Sequence, residues 1–258
     1  MDQSPKKKLR ATALTAETKS HLLELIDRYQ RAKELKLPSE EELAEIIGVS
    51  RITIRGALNE LQSEGLIFRK HGKGTFINPE ALKIKVQLSP VSLFKDMIIS
   101  SGFTPSVKII HLSLTEASLA VADALSLSPG DSLYITKKIF YANNHPCAYC
   151  IDYFSSDFST KPLTIADLTA EEDSIFQYFS VHHQLHIAWD KTEIQTITNL
   201  EMPELSTAFD LDRQKIASYL LLKSVNYTED NRPIIFAEEY IDTSFINFSM
   251  IRQKKILY

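Results

Sequence analysis

Arg51 and Arg55 stand one helical turn apart, with Ile52 and Thr53 between them. A guanidinium can grip guanine O6 and N7 or a phosphate, and an exposed Ile can touch a thymine methyl. Gly56 and Asn59 continue that face, where a purely structural helix would present Lys and Glu; a bare Gly lets a backbone come close. Further on, His71-Gly72-Lys73-Gly74 forms a basic turn suited to phosphate or to the minor groove. These residue types point to nucleic-acid contact rather than to catalysis.

Local signals define the elements that must hold them. Pro38 pre-sets a helix start, and Ser39 with Glu42 makes a capping box. Leu43, Ile46 and Ile47 give that helix an apolar face, and Gly48 ends it. Ser50 caps a second helix, whose apolar positions are Ile54, Ala57, Leu58 and Leu61. Gly65 stops it. Residues 66–70 and 75–77 then read as a hairpin around the basic turn. An earlier helix over 16–34, with Leu22, Leu25, Ile26 and Tyr29 inward, packs behind the pair. The sum is a winged helix-turn-helix, and the N-terminal half of its second helix is the part that meets base edges.

The run PSEEELAEIIGVSRITIRGALNELQSEGLIFRKHGKGTF resembles the DNA-binding domain of GntR-type bacterial regulators, nearly continuously over residues 17–77. The resemblance places DNA contacts at Arg51, Thr53 and Arg55 and at His71, Gly72 and Lys73. Ser39, Ser50, Ile52 and Gly74 complete the candidate DNA-binding set. Two positions depart from the family pattern. Glu41 stands where many relatives have Arg, and Ile52 where many have a small polar residue.

The chain has 258 residues, enough for two domains, and a formal net charge of −4. That charge alone argues against nucleic acid. Its distribution does not: residues 51–77 carry five basic and two acidic side chains, a local basic footprint. No apolar stretch approaches the roughly 18 residues of a membrane span. The N-terminal MDQSPKKKLR lacks the apolar run of a secretory signal and reads as a disordered basic arm. Cys147 and Cys150 form a C-x-x-C, but no second pair completes a zinc site, and a strand-like run flanks them. Reduced core or pocket-lining thiols of a cytoplasmic protein are the expectation. His182, His183 and His186 lack a carboxylate or thiol at ligand spacing, and their place at a helix C-terminus suits the dipole. No metal and no cofactor are expected.

The second half contains an internal repeat. Residues 127–154 and 211–242 each read as turn, strand, turn, strand. A polar turn ends in Pro146 or Pro233, and the last strand reaches Tyr153 or Tyr240. Short helices precede both units (116–125 and 201–208). Further helices are expected at 91–100 and 174–182, with strands at 105–114 and 185–198. This predicts a mostly antiparallel sheet with helices on a face, an α+β domain. Residues 79–90 read as a linker able to extend as a strand through Ile84, Val86 and Leu88. The expected division is a winged helix-turn-helix at 11–78, the linker, and a second domain at 91–252.

That second domain resembles UTRA, the effector-binding domain of HutC-type GntR regulators, over about residues 90–250. The resemblance implies a mixed α/β, chorismate-lyase-like fold, a small-metabolite effector and dimerisation through this domain. Sugars and sugar phosphates lead the effector classes, with amino-acid and acid derivatives beside them. The phosphate-gripping Arg pair of sugar-phosphate sensors falls on Lys137 and Ile139, so half the clamp is missing. Ser174 keeps a hydroxyl at a helix start. Acidic positions fall on Cys150 and Ile235, and a Thr position on Phe94. This implies a pocket less suited to a phosphosugar. Lys137 is either an anion anchor or a surface lysine; Trp189 and Tyr149 either line a pocket or fill the core. Glu238 and Glu239 are adjacent on a strand and point to opposite faces, which excludes a paired acid–base couple. One of them remains free to reach a ligand. The candidate effector set is Phe94, Lys137, Tyr149, Cys150, Ser174, Ile235, Glu239 and Tyr240.

The expected function is ligand-responsive transcription regulation. A homodimeric repressor would bind a pseudo-palindromic double-stranded operator at the nucleoid and be released by its effector. No convergent catalytic set supports an enzyme, and fold alone does not carry function. A ligand-free architectural protein would need a side-chain-filled pocket in the second domain.

Overall fold

Ser39 and Glu42 close the capping box as read. Ser39 N–H donates to Glu42 Oε2 at 2.7 Å, and Glu42 N–H donates to Ser39 Oγ at 3.2 Å, in the computed structural model. The structure describes residues 5–89, 92–159, 161–169, 174–212 and 214–252. These fall into two units, Met1–Ser92 with Phe248–Tyr258, and Leu93–Asn247.

In the first unit, helix α1 (Pro5–Arg31) precedes α2 (Glu40–Ile47) and α3 (Arg51–Ser63). Gly48 caps α2 at φ 78, a left-handed conformation that glycine adopts without strain. The four apolar positions of α3 are fully buried, against Leu22 and Ile26 of α1 and Leu43 of α2. Burying each such Leu or Ile contributes about 1.5–3 kcal/mol. The hairpin of β1 (Ile67–Lys70) and β2 (Gly74–Ile77) pairs Lys70 with Gly74 across the basic turn.

Three expectations need correction in this unit. The N-terminal run is helical from Pro5 instead of a disordered arm; Pro at a first helical position is tolerated, and the residues after it are good helix formers. Residues 1–4 lie outside the described residues. In the linker, only Val86–Gln87 (β3) is a strand, after a 3₁₀ turn at Ala81–Lys83. Pro90, read as the linker's end, lies outside the described residues. The partner of β3 is β10 (Phe248–Ser249), in parallel, so residues 248–252, read with the second domain, group with the first unit. Ile251 packs against that unit's core.

The second unit contains α4 (Phe94–Ser100), β4 (Pro105–Glu116), α5 (Leu119–Leu125), β5 (Ser132–Ala142) and β6 (His145–Ser155). Then follow α6 (Ile165–Thr169), α7 (Ile175–His183), β7 (Ile187–Thr198), α8 (Glu204–Ala208), β8 (Ser218–Thr228) and β9 (Pro233–Ile241). Among the described residues the strands form one antiparallel sheet in the order β4-β5-β6-β9-β8-β7. The repeat is larger than the two hairpins. Each half runs helix, edge strand, short helix, hairpin: α4-β4-α5-β5-β6, then α7-β7-α8-β8-β9. The halves meet at β6 and β9, where Cys150 pairs with Glu239 and Asp152 with Ala237.

The sheet has two covered faces. Tyr134, Phe154, Ile235 and Ala237 pack with Leu168 of α6 and with Ile175, Tyr178 and Phe179 of α7. On the opposite face Ile139, Tyr149, Ile151, Leu221 and Tyr240 pack with Leu205 and Ala208 of α8. The end of that second face near Leu133 packs with α5 through Val121, Ala122 and Leu125.

Candidate nucleic-acid interface and effector face

Ser50 caps α3, and Thr53 N–H donates to its Oγ at 3.2 Å. The two hydroxyls also lie 2.8 Å apart, so Thr53 closes the first turn with Ser50. Arg51 and Ile52 remain outermost, with Ile52 84% exposed. Arg55 donates from Nε (3.0 Å) and Nη2 (2.8 Å) to Glu40 Oε2. Arg69 Nη2 of the wing reaches Glu40 Oε1 at 3.3 Å. The hydrogen bond from Arg55 holds the Glu40 carboxyl below its usual range despite partial burial. Arg51 Nη1 lies 3.8 Å from Glu41, so the carboxylate that departs from the family pattern stands beside a candidate DNA-contacting arginine.

His71, Gly72, Lys73 and Gly74 are all exposed. Gly72 (φ 68) and Gly74 (φ 107) shape the turn, and Lys73 N–H donates to Lys70 O at 2.9 Å. Lys70 lies over the rings of Phe68 and Phe76, which stiffens the hairpin behind its tip. Arg51, Ile52, Arg55 and the wing tip are therefore presented by elements anchored in one core. Gly56 is corrected: a Cβ there would meet Thr15 Cγ2 at 3.7 Å, so this glycine sits beneath α1 and opens no approach for a ligand backbone.

The structure divides the candidate effector set between the two faces of the sheet. Lys137, Tyr149 and Tyr240 lie on the α8 face. There Glu204 Oε1 accepts from Lys137 Nζ at 2.7 Å and from Tyr149 Oη at 2.7 Å. Tyr149 stacks on Tyr240 with centroids 5.9 Å apart. Lys137 thus belongs to an intramolecular ion pair, and Ile139 beside it is core. Burial raises the Tyr149 hydroxyl, and that of Tyr240 as well, above the usual range.

Phe94, Cys150, Ile235 and Glu239 belong to the α7 face. Phe94 of α4 stacks on Phe140 at 4.7 Å. Ser174 caps α7, accepting from Gln177 N–H at 3.3 Å. Ile235 is fully buried in the core. The Cys150 thiol is pushed far up by burial, and that of Cys147 up to about 12. Three residues apart on a strand, their Cα atoms are about 10 Å distant, beyond disulfide reach.

Sequence reasoning missed the polar row on this same face. Lys138 Nζ lies 2.8 Å from Asp152 Oδ2, both groups being buried, and Thr136 Oγ1 donates to the same oxygen at 3.1 Å. Ser224 and Asn226 are buried beside them on β8; Thr192 of β7 donates to Asp190 Oδ1 at 2.7 Å, and its oxygen, 3.0 Å from Ser224 Oγ, accepts the Ser224 hydroxyl proton. Desolvation opposes the charge on Lys138, but the Asp152 carboxylate prevails and raises its pKa. Strand alternation held the signal: Thr136 and Lys138 share parity with Tyr134, whereas Lys137 shares it with Ile139.

Residues 14–77 match the bacterial regulatory proteins of the gntR family, and residues 100–246 match the UTRA domain. The chain is 29% identical over 203 residues to the HTH-type transcriptional repressor NagR of Bacillus subtilis, covering 76% of this chain and 77% of that protein. It is 30% identical over 155 residues to the histidine utilization repressor of Pseudomonas putida, covering 57% and 62%. The crystal structure of YydK, a possible transcriptional regulator from Bacillus subtilis, superposes with a TM-score of 0.71 at 19% identity, covering 93% of this chain and 99% of that one. This last likeness is one of fold.

Proposed function

Because the chain belongs to the UTRA family and carries a gntR-type DNA-binding domain, it is a DNA-binding transcription regulator and not an enzyme; we propose that it acts as a dimeric repressor released from a pseudo-palindromic operator by a small metabolite. The observation that carries the reading is the outward set of Arg51, Ile52 and Arg55 on α3, beside the basic wing tip. Two such heads would read half-sites related by the protein's own two-fold axis.

The effector would bind on the α7 face, where Lys138, Asp152 and Glu239 carry the charges of a polar row that also holds Thr136, Ser224 and Asn226. Release requires the effector to bind the DNA-free arrangement more tightly than the DNA-bound one. The NagR repressor of Bacillus subtilis, at 29% identity, supports repression as the direction of control. Among the described residues no helix is long and apolar enough to cross a membrane. The test is fluorescence anisotropy of a bound operator duplex, titrated with sugars, sugar phosphates and amino-acid derivatives. A repressor of this kind gives saturable release by one class. Tighter DNA binding with every active compound would instead indicate a co-repressor or activator.

A further inference from the structure

The two half-domains can be compared residue by residue on the α7 face. Asp152 lies six residues after Pro146, and Glu239 six after Pro233, so they are equivalent positions. Each pairs across the central strands in the same way, Asp152 with Ala237 and Glu239 with Cys150. In the first half, Thr136 stands directly opposite Asp152, and Lys138 opposite Cys150. In the second half, Leu222 stands opposite Glu239, and Ser224 opposite Ala237. The first carboxylate therefore has its own hydroxyl and its own cation, at 3.1 and 2.8 Å. The second has a leucine and a serine in those places, and the serine hydroxyl is already held by Thr192.

Glu239 has no hydrogen-bond or ion-pair partner among the described residues, although Lys138, Cys150, Asp152 and Leu222 around it are all buried. Glu239 is itself half-buried and keeps part of its surface open, so a counter-charge can reach it, and a cation placed among such buried neighbours gains more than one at the open surface. We infer that Glu239 is the anchor for a cationic nitrogen of the effector, an ammonium or amidinium group that fills the place Lys138 fills in the first half. This rests on the effector reading of the unit and names the chemical class.

Charge decides against an anion here. The ionisable groups facing Glu239 are Lys138 and Asp152 from β5 and β6, Cys150 beside it, and Asp190 from β7. Lys138 is neutralised by Asp152, so an anion would meet two further carboxylates. Burial and the nearby Asp152 push the Glu239 carboxyl up to about 8. An arriving cation would restore its charge and displace a proton.

Thermal unfolding of the full-length protein tests this with size-matched probes: glucosamine, glucose and gluconate, and putrescine, butane-1,4-diol and succinate. At saturating concentration an amine should raise Tm by about 4 °C or more, and the alcohols and acids should not. Glu239→Gln should abolish the rise. Ser224→Lys, which supplies the missing cation internally, should raise the unliganded Tm and abolish the amine response. A rise from alcohols or acids alone, an amine rise that survives Glu239→Gln, or no rise with any probe overturns the assignment. A rise confined to the alcohols or acids still leaves effector sensing standing. An amine that binds through Glu239 but leaves DNA affinity unchanged keeps the site and contradicts the regulatory reading.

Discussion

Arg55 of α3 places two donors on a single oxygen of Glu40, Nε at 3.0 Å and Nη2 at 2.8 Å. Glu40 is the first residue of α2, and its other oxygen receives Arg69 of the wing. One carboxylate thus links α3 to the wing hairpin and fixes the direction in which Arg55 leaves α3. Arg55→Ala should cost about 1–3 kcal/mol on the specific site and little on random duplex. Glu40→Gln should weaken specific binding more than random binding, since it loosens Arg55 without removing it. Anisotropy titrations on both duplexes separate the two cases.

The wing tip and Glu41 should move affinity in opposite directions. Lys73 is exposed in the turn and contributes charge, so Lys73→Ala should weaken specific and random DNA alike and lower the salt slope by about 1. Glu41 lies 3.8 Å from Arg51 and opposes phosphate. Glu41→Gln should strengthen both kinds of binding. Titrations across a salt series check both substitutions.

Gly65 has φ 75, and a Cβ on it would lie 2.7 Å from Ile251 Cγ2. Gly65→Ala should destabilise the first unit by about 1–3 kcal/mol from the backbone alone, with the clash in addition. Adding Ile251→Ala should recover only part of the clash, because the Cβ at 3.0 Å remains, and none of the backbone strain. Urea unfolding of the single and double variants, read by circular dichroism, measures the difference.

Glu239 gives the second unit a pH signature. Its folded carboxyl is raised from 4.5 to about 8, so between those values the native state holds a proton that the unfolded chain has lost. Stability contributed by this group must therefore fall as pH rises through that window. Glu239→Gln should flatten the slope and be the more stable form at the upper end. Paired melts of wild type and variant across pH isolate the effect from other titrating groups.

The DNA-binding half was legible because its signals are local. Caps at Ser39 and Ser50, stops at Gly48 and Gly65, and the spacing of Ile54, Ala57, Leu58 and Leu61 each act within one or two turns. Gly56 misled because a face read from a single helix does not reveal that α1 covers it. The parallel pairing of Val86 with Phe248 escaped because the partners are far apart in sequence. In the second unit the repeat was visible, but the face of each strand residue depended on a register that a shift of one residue inverts. Lys137 follows from the resemblance alone, whereas Lys138 lies on the same face as Asp152. The place of Glu239 opposite Leu222 depends on the pairing of β8 with β9, which the sequence does not show.

If α3 and the wing contact DNA as proposed, the protein should prefer a specific, two-fold-related sequence. Selection of bound duplexes from a random pool by the full-length protein, repeated with Arg55→Ala, tests it most directly. The wild type should enrich an inverted repeat, and the variant should lose base preference in both half-sites. Enrichment of no motif, or of the same motif by Arg55→Ala, would contradict it.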